Sequence, residues 1–194
     1  CMQEDLVKKT RVSMEDPAAA DKIAEDLVRR MRRYGVTDDM TKVLLCIGTD
    51  RSTGDSLGPL VGSKLDLLQQ EFFVVYGTLD KPVHASNLKE VLDMIYKKNR
   101  NPFIIAVDAC LGRLESVGYI QLGDGSLLPG AGVNKDLPPV GQIHITGIVN
   151  VGGYMEYMIL QNTRLNLVMR LADVIANGIN QAIRAFKKEN TVEL

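Results

Sequence analysis

The chain has 194 residues, which is enough for one domain with a sizeable hydrophobic core. It carries 23 Lys and Arg residues against 24 Asp and Glu residues, so its formal net charge is −1. A charge so close to zero gives no overall field that would attract nucleic acid or an anionic membrane. Hydrophobic residues make up 45% of the sequence and charged residues 24%, which excludes a wholly disordered chain.

The cysteines and the apolar segments indicate the cellular setting. Three cysteines with no CxxC pair are too few for a disulfide framework and are poorly spaced for zinc. No apolar run approaches the roughly 20 residues that span a bilayer, and the amino end does not resemble a signal peptide. We therefore expect a soluble protein of the reducing cytoplasm, without nucleic-acid or membrane partners.

The first half of the chain alternates between helical and extended patterns. Residues 1–16 are polar and of mixed charge, which predicts a flexible N-terminal arm. Apolar side chains then recur at spacings of three and four from residue 17 to residue 34, which predicts a helix. Three short apolar runs follow, typical of strands buried on both faces, with helical patterns between them. The predicted strands are 43–47, 72–76 and 103–107, and the predicted helices are 57–68 and 88–96.

The second half adds two more predicted strands and a long helix. The strands are 117–122 and 143–149, separated by a glycine- and proline-rich loop at 123–141. An apolar stripe from residue 165 to residue 186 predicts a core-facing helix. Strands alternating with helices indicate an α/β protein, a three-layer αβα sandwich with a mostly parallel central sheet of about five strands. We expect residues 17–194 to form this single domain.

A glycine-rich segment at residues 48–59 directly follows the first long apolar run. In open α/β sheets, ligands bind at the carboxyl ends of strands, where such loops meet the N-termini of helices. Asp55 precedes the helix that we expect to begin near Ser56, so it is either an ordinary helix N-cap or a group that faces a cleft. A nucleotide-binding loop is disfavoured, because GxGxxG and the lysine of GxxxxGK[ST] are both absent.

Asp108 follows the strand predicted at 103–107, where a buried carboxylate needs a partner. It either accepts backbone N–H bonds from the turn that we expect at 109–112, or it serves chemistry. If the strands at 43–47 and 103–107 are neighbours, Asp55 and Asp108 end at the same edge of the sheet. Two nearby carboxylates share a proton and can polarise a water molecule between them, which is an arrangement suited to hydrolysis.

The two histidines and the serines allow other chemistries. His84 lies in a loop on the carboxyl side of a strand, whereas His144 lies inside a predicted strand and is interpreted as structural. A divalent metal held by Asp55, Asp108 and His84 is chemically reasonable, although no compact HxxxH or HxxE motif supports it. We therefore expect no cofactor and keep the metal as an alternative. No serine lies in a GxSxG elbow, which disfavours a serine hydrolase.

Two segments resemble a known family. The sequences IGTDRSTGDSLGP at residues 47–59 and LQNTRL at 160–165 resemble the YyaC-type sporulation proteins, and the resemblance covers nearly the whole chain after about residue 18. Residues 43 to about 155 more distantly resemble the germination protease, which degrades small acid-soluble spore proteins. The motifs that match it are DSLGP at 55–59, AVDA at 106–109 and PGAGV at 129–133. Hydrogenase-maturation endopeptidases look like remoter relatives with the same layered fold.

The resemblance implies a phosphorylase/hydrolase-like αβα fold and a peptidase in which Asp55 and Asp108 are catalytic. The same two residues follow from the argument about strand ends. We expect four further residues to bind a small protein or peptide substrate: Gly54, Arg113, Asn134 and Lys135.

The leading interpretation is a peptidase of spore-forming bacteria that hydrolyses a small protein during sporulation or germination. It would act in the cytoplasm or in the developing spore compartment. A non-catalytic binding or regulatory protein on the same fold is one alternative, and a metal-dependent maturation-type endopeptidase is another. Assembly into a homo-oligomer stays an open expectation.

Overall fold

The computed structural model describes residues 9–129 and 137–192, with side chains as far as residue 188. The strands are β1 (Thr10–Ser13), β2 (Lys42–Cys46), β3 (Val74–Tyr76), β4 (Phe103–Gly112), β5 (Tyr119–Asp124) and β6 (Ile143–Val151). The α-helices are α1 (Ala19–Arg33), α2 (Leu57–Leu67), α3 (Leu88–Lys98), α4 (Glu156–Gln161) and α5 (Leu165–Val192). Short 3₁₀ turns occupy Thr53–Ser56 and Leu114–Ser116. Within the described ranges, no helix combines the length and the apolar character that crossing a membrane requires.

The six strands form one sheet in the order β1-β5-β6-β4-β2-β3. Strands β3, β2, β4 and β6 are parallel, and β5 runs antiparallel to both β6 and β1. Apolar side chains of α1, α2 and α5 pack on one face of the sheet, and those of α3 pack on the other. The predicted α/β sandwich with a mostly parallel sheet is confirmed, with six strands instead of about five.

The additional strand comes from the segment that the sequence assigned to a flexible arm, so that assignment is wrong for residues 10–13. Strand β1 pairs with β5, with Thr10 opposite Leu122. Val12 is buried, whereas the guanidinium of Arg11 stacks on the ring of Tyr119 with 4.1 Å to its centroid. A four-residue strand with one buried apolar side chain has too weak an alternation to be recognised from sequence.

All five predicted strands differ in their bounds from the observed ones, and the differences in β4 and β3 bear on the site and on the core. Strand β4 continues through Gly112, so Asp108 lies inside the strand, opposite Thr146 of β6, and not in a turn. Strand β3 has only three residues. Phe72 and Phe73, which the sequence predicts in this strand, precede it and belong to an aromatic cluster. The Phe72 ring lies 4.9 Å from Phe73 and 5.4 Å from Phe186 of α5, measured between centroids. In both strands the misassigned residues make contacts outside the sheet: Asp108 borders a cavity, and Phe72 packs against α5.

Candidate active site

A tight loop carries the chain from the end of β2 to α2. Gly48 has φ +146°, and a Cβ placed on it would lie 2.1 Å from the carbonyl oxygen of Asp55. Only glycine therefore permits this approach of two backbone segments. The Thr49 N–H donates a 2.9 Å hydrogen bond to the same carbonyl oxygen, and the Gly48 N–H donates to the carbonyl of Val83 at 2.8 Å. The loop is thus attached both to itself and to the segment that leads into α3.

Asp55 lies in the 3₁₀ turn at Thr53–Ser56, immediately before α2. The N-cap of α2 is Ser56, so the alternative that Asp55 is an ordinary N-cap is wrong. Instead, its side chain borders a cavity. Burial penalises the charged form and raises the pKa of Asp55 to about 6. This carboxyl group therefore titrates near pH 6, in a range that suits an acid–base group.

Asp108 borders the same cavity from within β4 and is 5% exposed. Its Oδ1 atom accepts a 2.8 Å hydrogen bond from the N–H of Ala109, the next residue in the strand. The expected turn at 109–112 does not exist, because these residues continue the ladder with β6. Asp108 therefore borders the cavity while one of its carboxylate oxygens is bonded to its own strand.

The cavity has a volume of about 440 Å³ and lies at the carboxyl edge of the parallel strands. Strands β2 and β4 are direct neighbours, with Cys46 opposite Val107, so the structure brings Asp55 and Asp108 to one edge as the argument about strand ends predicts. Thr49, Arg51, Ser52 and Ser86 add polar groups to the wall. The apolar part of the wall consists of Ile47, Ala85, Pro129, Leu137, Tyr157 and Leu160.

The histidines occupy different environments. His84 borders the cavity, and its Nδ1 atom accepts a 3.2 Å hydrogen bond from the Ser86 N–H. His144 lies away from the cavity, where its Nδ1 atom is 3.0 Å from the carbonyl oxygen of Gly125 and burial lowers its pKa. Its environment is that of a structural residue.

The alternative of a bound metal needs a cluster of ligating side chains. Among residues 9–129 and 137–192, no three His, Cys, Asp or Glu side chains are grouped so that they could hold a metal ion. Asp55, Asp108 and His84 share the cavity without forming such a group. The residues present therefore do not fit the metal site that the sequence left as an alternative.

The four residues that the sequence predicts to bind substrate do not line the cavity as a group. Gly54 packs behind the cavity, where a Cβ would lie 2.8 Å from both Leu160 Cδ2 and Thr163 Oγ1, so this glycine lets α4 rest on the turn that carries Asp55. Arg113 is exposed beyond the end of β4. Neither Gly54 nor Arg113 is among the described residues that border the cavity. Asn134 and Lys135 lie outside the described residues.

Helix α4 is a part of the site that the sequence analysis missed. It follows β6 at the carboxyl edge of the sheet, and its Tyr157 and Leu160 form cavity wall. Tyr154 is 90% exposed, and Met155, Tyr157 and Met158 are largely exposed as well. The rule that strand ends carry ligand sites, applied to the segment after β6, would have pointed to these residues.

Comparison with known proteins agrees with the resemblances in the sequence motifs. Over 172 residues the chain is 59% identical to the uncharacterized protein YyaC of Bacillus subtilis (strain 168), covering 89% of this chain and 82% of that protein. It is 28% identical over 146 residues to the germination protease of Oceanobacillus iheyensis, covering 68% of this chain. The match spans 40% of the length of that protease. Similarity to YyaC, and remote similarity to a protease, are thereby confirmed.

Comparison with solved structures finds the crystal structure of a NiFe hydrogenase maturation protease, HycI, from Thermococcus kodakarensis KOD1. The superposition has a TM-score of 0.48 at 16% sequence identity and covers 80% of this chain and 99% of that one. Residues 11–178 match the family model described as "Protein of unknown function (DUF1256)". The chain is therefore a member of the DUF1256 family.

Proposed function

We propose that this protein is a peptidase that uses Asp55 and Asp108 as an acid–base pair to hydrolyse a peptide bond in a small protein. The main support for this proposal is that both aspartates border one cavity, where burial raises the pKa of Asp55 to about 6. Remote similarity to a germination protease supports the reaction class. The substrate would be a protein of sporulation or germination in a spore-forming bacterium, met in the cytoplasm or in the developing spore compartment.

The two carboxyl groups take different roles in this mechanism. We assign the role of acid to Asp55, because desolvation favours its protonated form, and the role of base to Asp108. Asp108 accepts a proton from a water molecule while the water oxygen attacks the scissile carbonyl carbon. Asp55 gives its proton to the carbonyl oxygen, which neutralises the charge that develops there.

Collapse of the tetrahedral intermediate completes the cycle. The carbon–nitrogen bond breaks as the amine nitrogen takes the proton that Asp108 acquired from water. The former carbonyl oxygen returns its proton to Asp55 as the new carboxyl group forms. One water molecule and one peptide bond are consumed, and both aspartates regain their starting protonation states.

The backbone bonds around the two acids supply the required positioning. The bond from Thr49 to the Asp55 carbonyl and the bond from Ala109 to Oδ1 of Asp108 each restrain one member of the pair. Groups held in place before the reaction need no reorganisation in the transition state. The cavity would then need to position only the substrate and one water molecule.

A non-catalytic binding protein is the second candidate, and the exposed apolar side chains in the first turn of α4 and directly before it favour it. Tyr154, Met155, Tyr157 and Met158 present large apolar side chains to solvent beside the cavity. Surfaces of this kind are typical of sites that contact another protein. A binding protein would hold its partner there without cleaving it.

Incubation of the pure protein with a small acid-soluble spore protein separates the two candidates. Intact-mass spectrometry follows the products, with the Asp108→Asn variant as the control and parallel tubes with and without added divalent metal. A peptidase gives discrete fragments that the control lacks, in both sets of tubes. Substrate that stays intact in every tube contradicts cleavage of this substrate and favours the binding protein, whereas cleavage only with metal contradicts the metal-free mechanism.

A further inference from the structure

Ser52 holds an unused hydroxyl group beside the two acids. It occupies the N-cap of the 3₁₀ turn that carries Asp55, and it borders the cavity. The residue is 9% exposed, and its buried Oγ atom has no hydrogen-bond partner among the residues that the structure describes. Its main chain is engaged, because the Ser52 carbonyl accepts a 3.0 Å hydrogen bond from the Asp55 N–H.

A serine in this position ordinarily bonds to its own turn. N-cap serines accept hydrogen bonds from backbone N–H groups near the start of the helix, but Ser52 makes no such bond. Ser56, at the end of the same turn and 6% exposed, donates its hydroxyl to the Thr53 carbonyl at 2.7 Å. The turn therefore does satisfy one buried serine while it leaves the other without a partner.

An unpaired buried hydroxyl destabilises the free protein, because folding removes its hydrogen bonds to water and returns none. Residues that lower the stability of a fold concentrate at functional sites, where the ligand supplies the missing interaction. The position of Ser52 agrees with this, since it is three residues from Asp55 in the same cavity wall.

We infer that Ser52 is a substrate-binding residue whose hydroxyl donates a hydrogen bond to a main-chain carbonyl oxygen of a polypeptide held in the cavity. The inference rests on the proposed peptidase function. The assignment requires a rotation about χ1, between staggered rotamers, that turns Oγ from its buried position toward the cavity that the residue borders. A main-chain carbonyl is the acceptor that every polypeptide offers regardless of its sequence, so Ser52 would fix the register of the chain and not select a side chain.

Two serine variants test this assignment, with Ser56→Ala as the matched control for Ser52→Ala. We expect Ser52→Ala to leave the melting temperature unchanged or to raise it, because it removes an unsatisfied group. Ser56→Ala breaks a buried hydrogen bond and should lower the melting temperature by roughly 2–8 °C. Thermal unfolding of both proteins without substrate gives this comparison.

Binding is measured separately from cleavage. A fluorescein-labelled small acid-soluble spore protein is titrated with the Asp108→Asn variant, with and without Ser52→Ala, and the anisotropy gives Kd. Loss of one hydrogen bond to the ligand should weaken binding about three- to tenfold. In the active protein, Ser52→Ala should raise KM by a similar factor.

The outcomes separate this inference from the proposed function. A melting temperature that falls as far for Ser52→Ala as for Ser56→Ala would make the hydroxyl structural and overturn the inference. An unchanged Kd, or no binding by the parent variant, would overturn it as well. A shifted pH profile at constant Kd would assign the hydroxyl to Asp55 and not to substrate. Weaker binding on Ser52→Ala, in a protein that never cleaves, would support the inference and overturn the peptidase.

Discussion

The N–H of Thr49 donates a 2.9 Å hydrogen bond to the carbonyl oxygen of Asp55, and this bond closes the loop that follows β2. Because Gly48 has no side chain, the two backbone segments can approach this closely. The position of the Asp55 carboxyl group relative to Asp108 therefore depends on a backbone contact as well as on the sheet. Disturbing that contact should affect catalysis without touching either acid.

Replacement of Gly48 by alanine tests this dependence. The new Cβ would lie 2.1 Å from the Asp55 carbonyl oxygen, so the loop must move. We expect kcat/KM to fall about 10²-fold, which is the usual consequence of misplacing a catalytic group by about 1 Å. The measurement is the rate of substrate cleavage by Gly48→Ala, with its circular dichroism spectrum to verify folding.

Gly153→Ala is the matched control for that experiment. Gly153 has φ +136°, close to the +146° of Gly48, but a Cβ placed on it meets no described atom within 4 Å. The control carries similar backbone strain without the collision, so it should lose stability and keep kcat/KM within about threefold. Equal losses of activity in the two variants would show that backbone strain, not displacement of Asp55, is responsible.

The pH dependence of cleavage distinguishes the roles of the two acids. In the proposed mechanism Asp55 must be protonated, and its pKa is about 6. We expect kcat/KM to fall above pH 6, by about tenfold for each pH unit once Asp55 is ionised. A profile that rises through pH 6 would instead make Asp55 the base and reverse the assignment.

Burial of Asp55 also predicts a pH-dependent stability. Its pKa is raised from 3.8 to about 6 in the folded protein, so the folded chain binds this proton more tightly than the unfolded chain does. Ionised Asp55 therefore destabilises the fold above pH 6, and the penalty disappears as the pH falls below 3.8. By linkage the full penalty corresponds to about 3 kcal/mol.

Urea unfolding of the wild type and of Asp55→Asn measures this penalty. The neutral, isosteric side chain should raise the free energy of unfolding by about 1–3 kcal/mol at pH 7 and by less than about 1 kcal/mol at pH 4. Comparing the two proteins at each pH cancels the titration of the other acids. A variant that is less stable than wild type at pH 7 would contradict a destabilising Asp55.

The elements that bear the two acids could be predicted from sequence because their apolar patterns are strong. Strands β2 and β4 begin as continuous buried runs, which require a sheet covered on both faces. Parallel strands joined through helices then place the loops after them at one edge. The neighbourhood of Asp55 and Asp108 follows from this topology, before any side-chain contact is considered.

The rest of the site depends on contacts that leave little pattern in the sequence. Helix α4 has six residues, too few for a helical periodicity, and it forms where Gly54 leaves room for Leu160. The unsatisfied hydroxyl of Ser52 is a property of its surroundings in the folded chain. The length of β4 was underestimated because Asp108 interrupts the apolar run and yet remains in the ladder opposite Thr146.

The kinetics of Asp55→Asn, Asp108→Asn and the double variant test the central claim most directly. If the two carboxyl groups act as one acid–base unit, each single substitution should lower kcat/KM by about 10²–10⁴-fold, and the double variant should be little worse than either. Far-ultraviolet circular dichroism of all three proteins should match that of the wild type. A double variant that still cleaves the substrate at near wild-type rate would contradict the account.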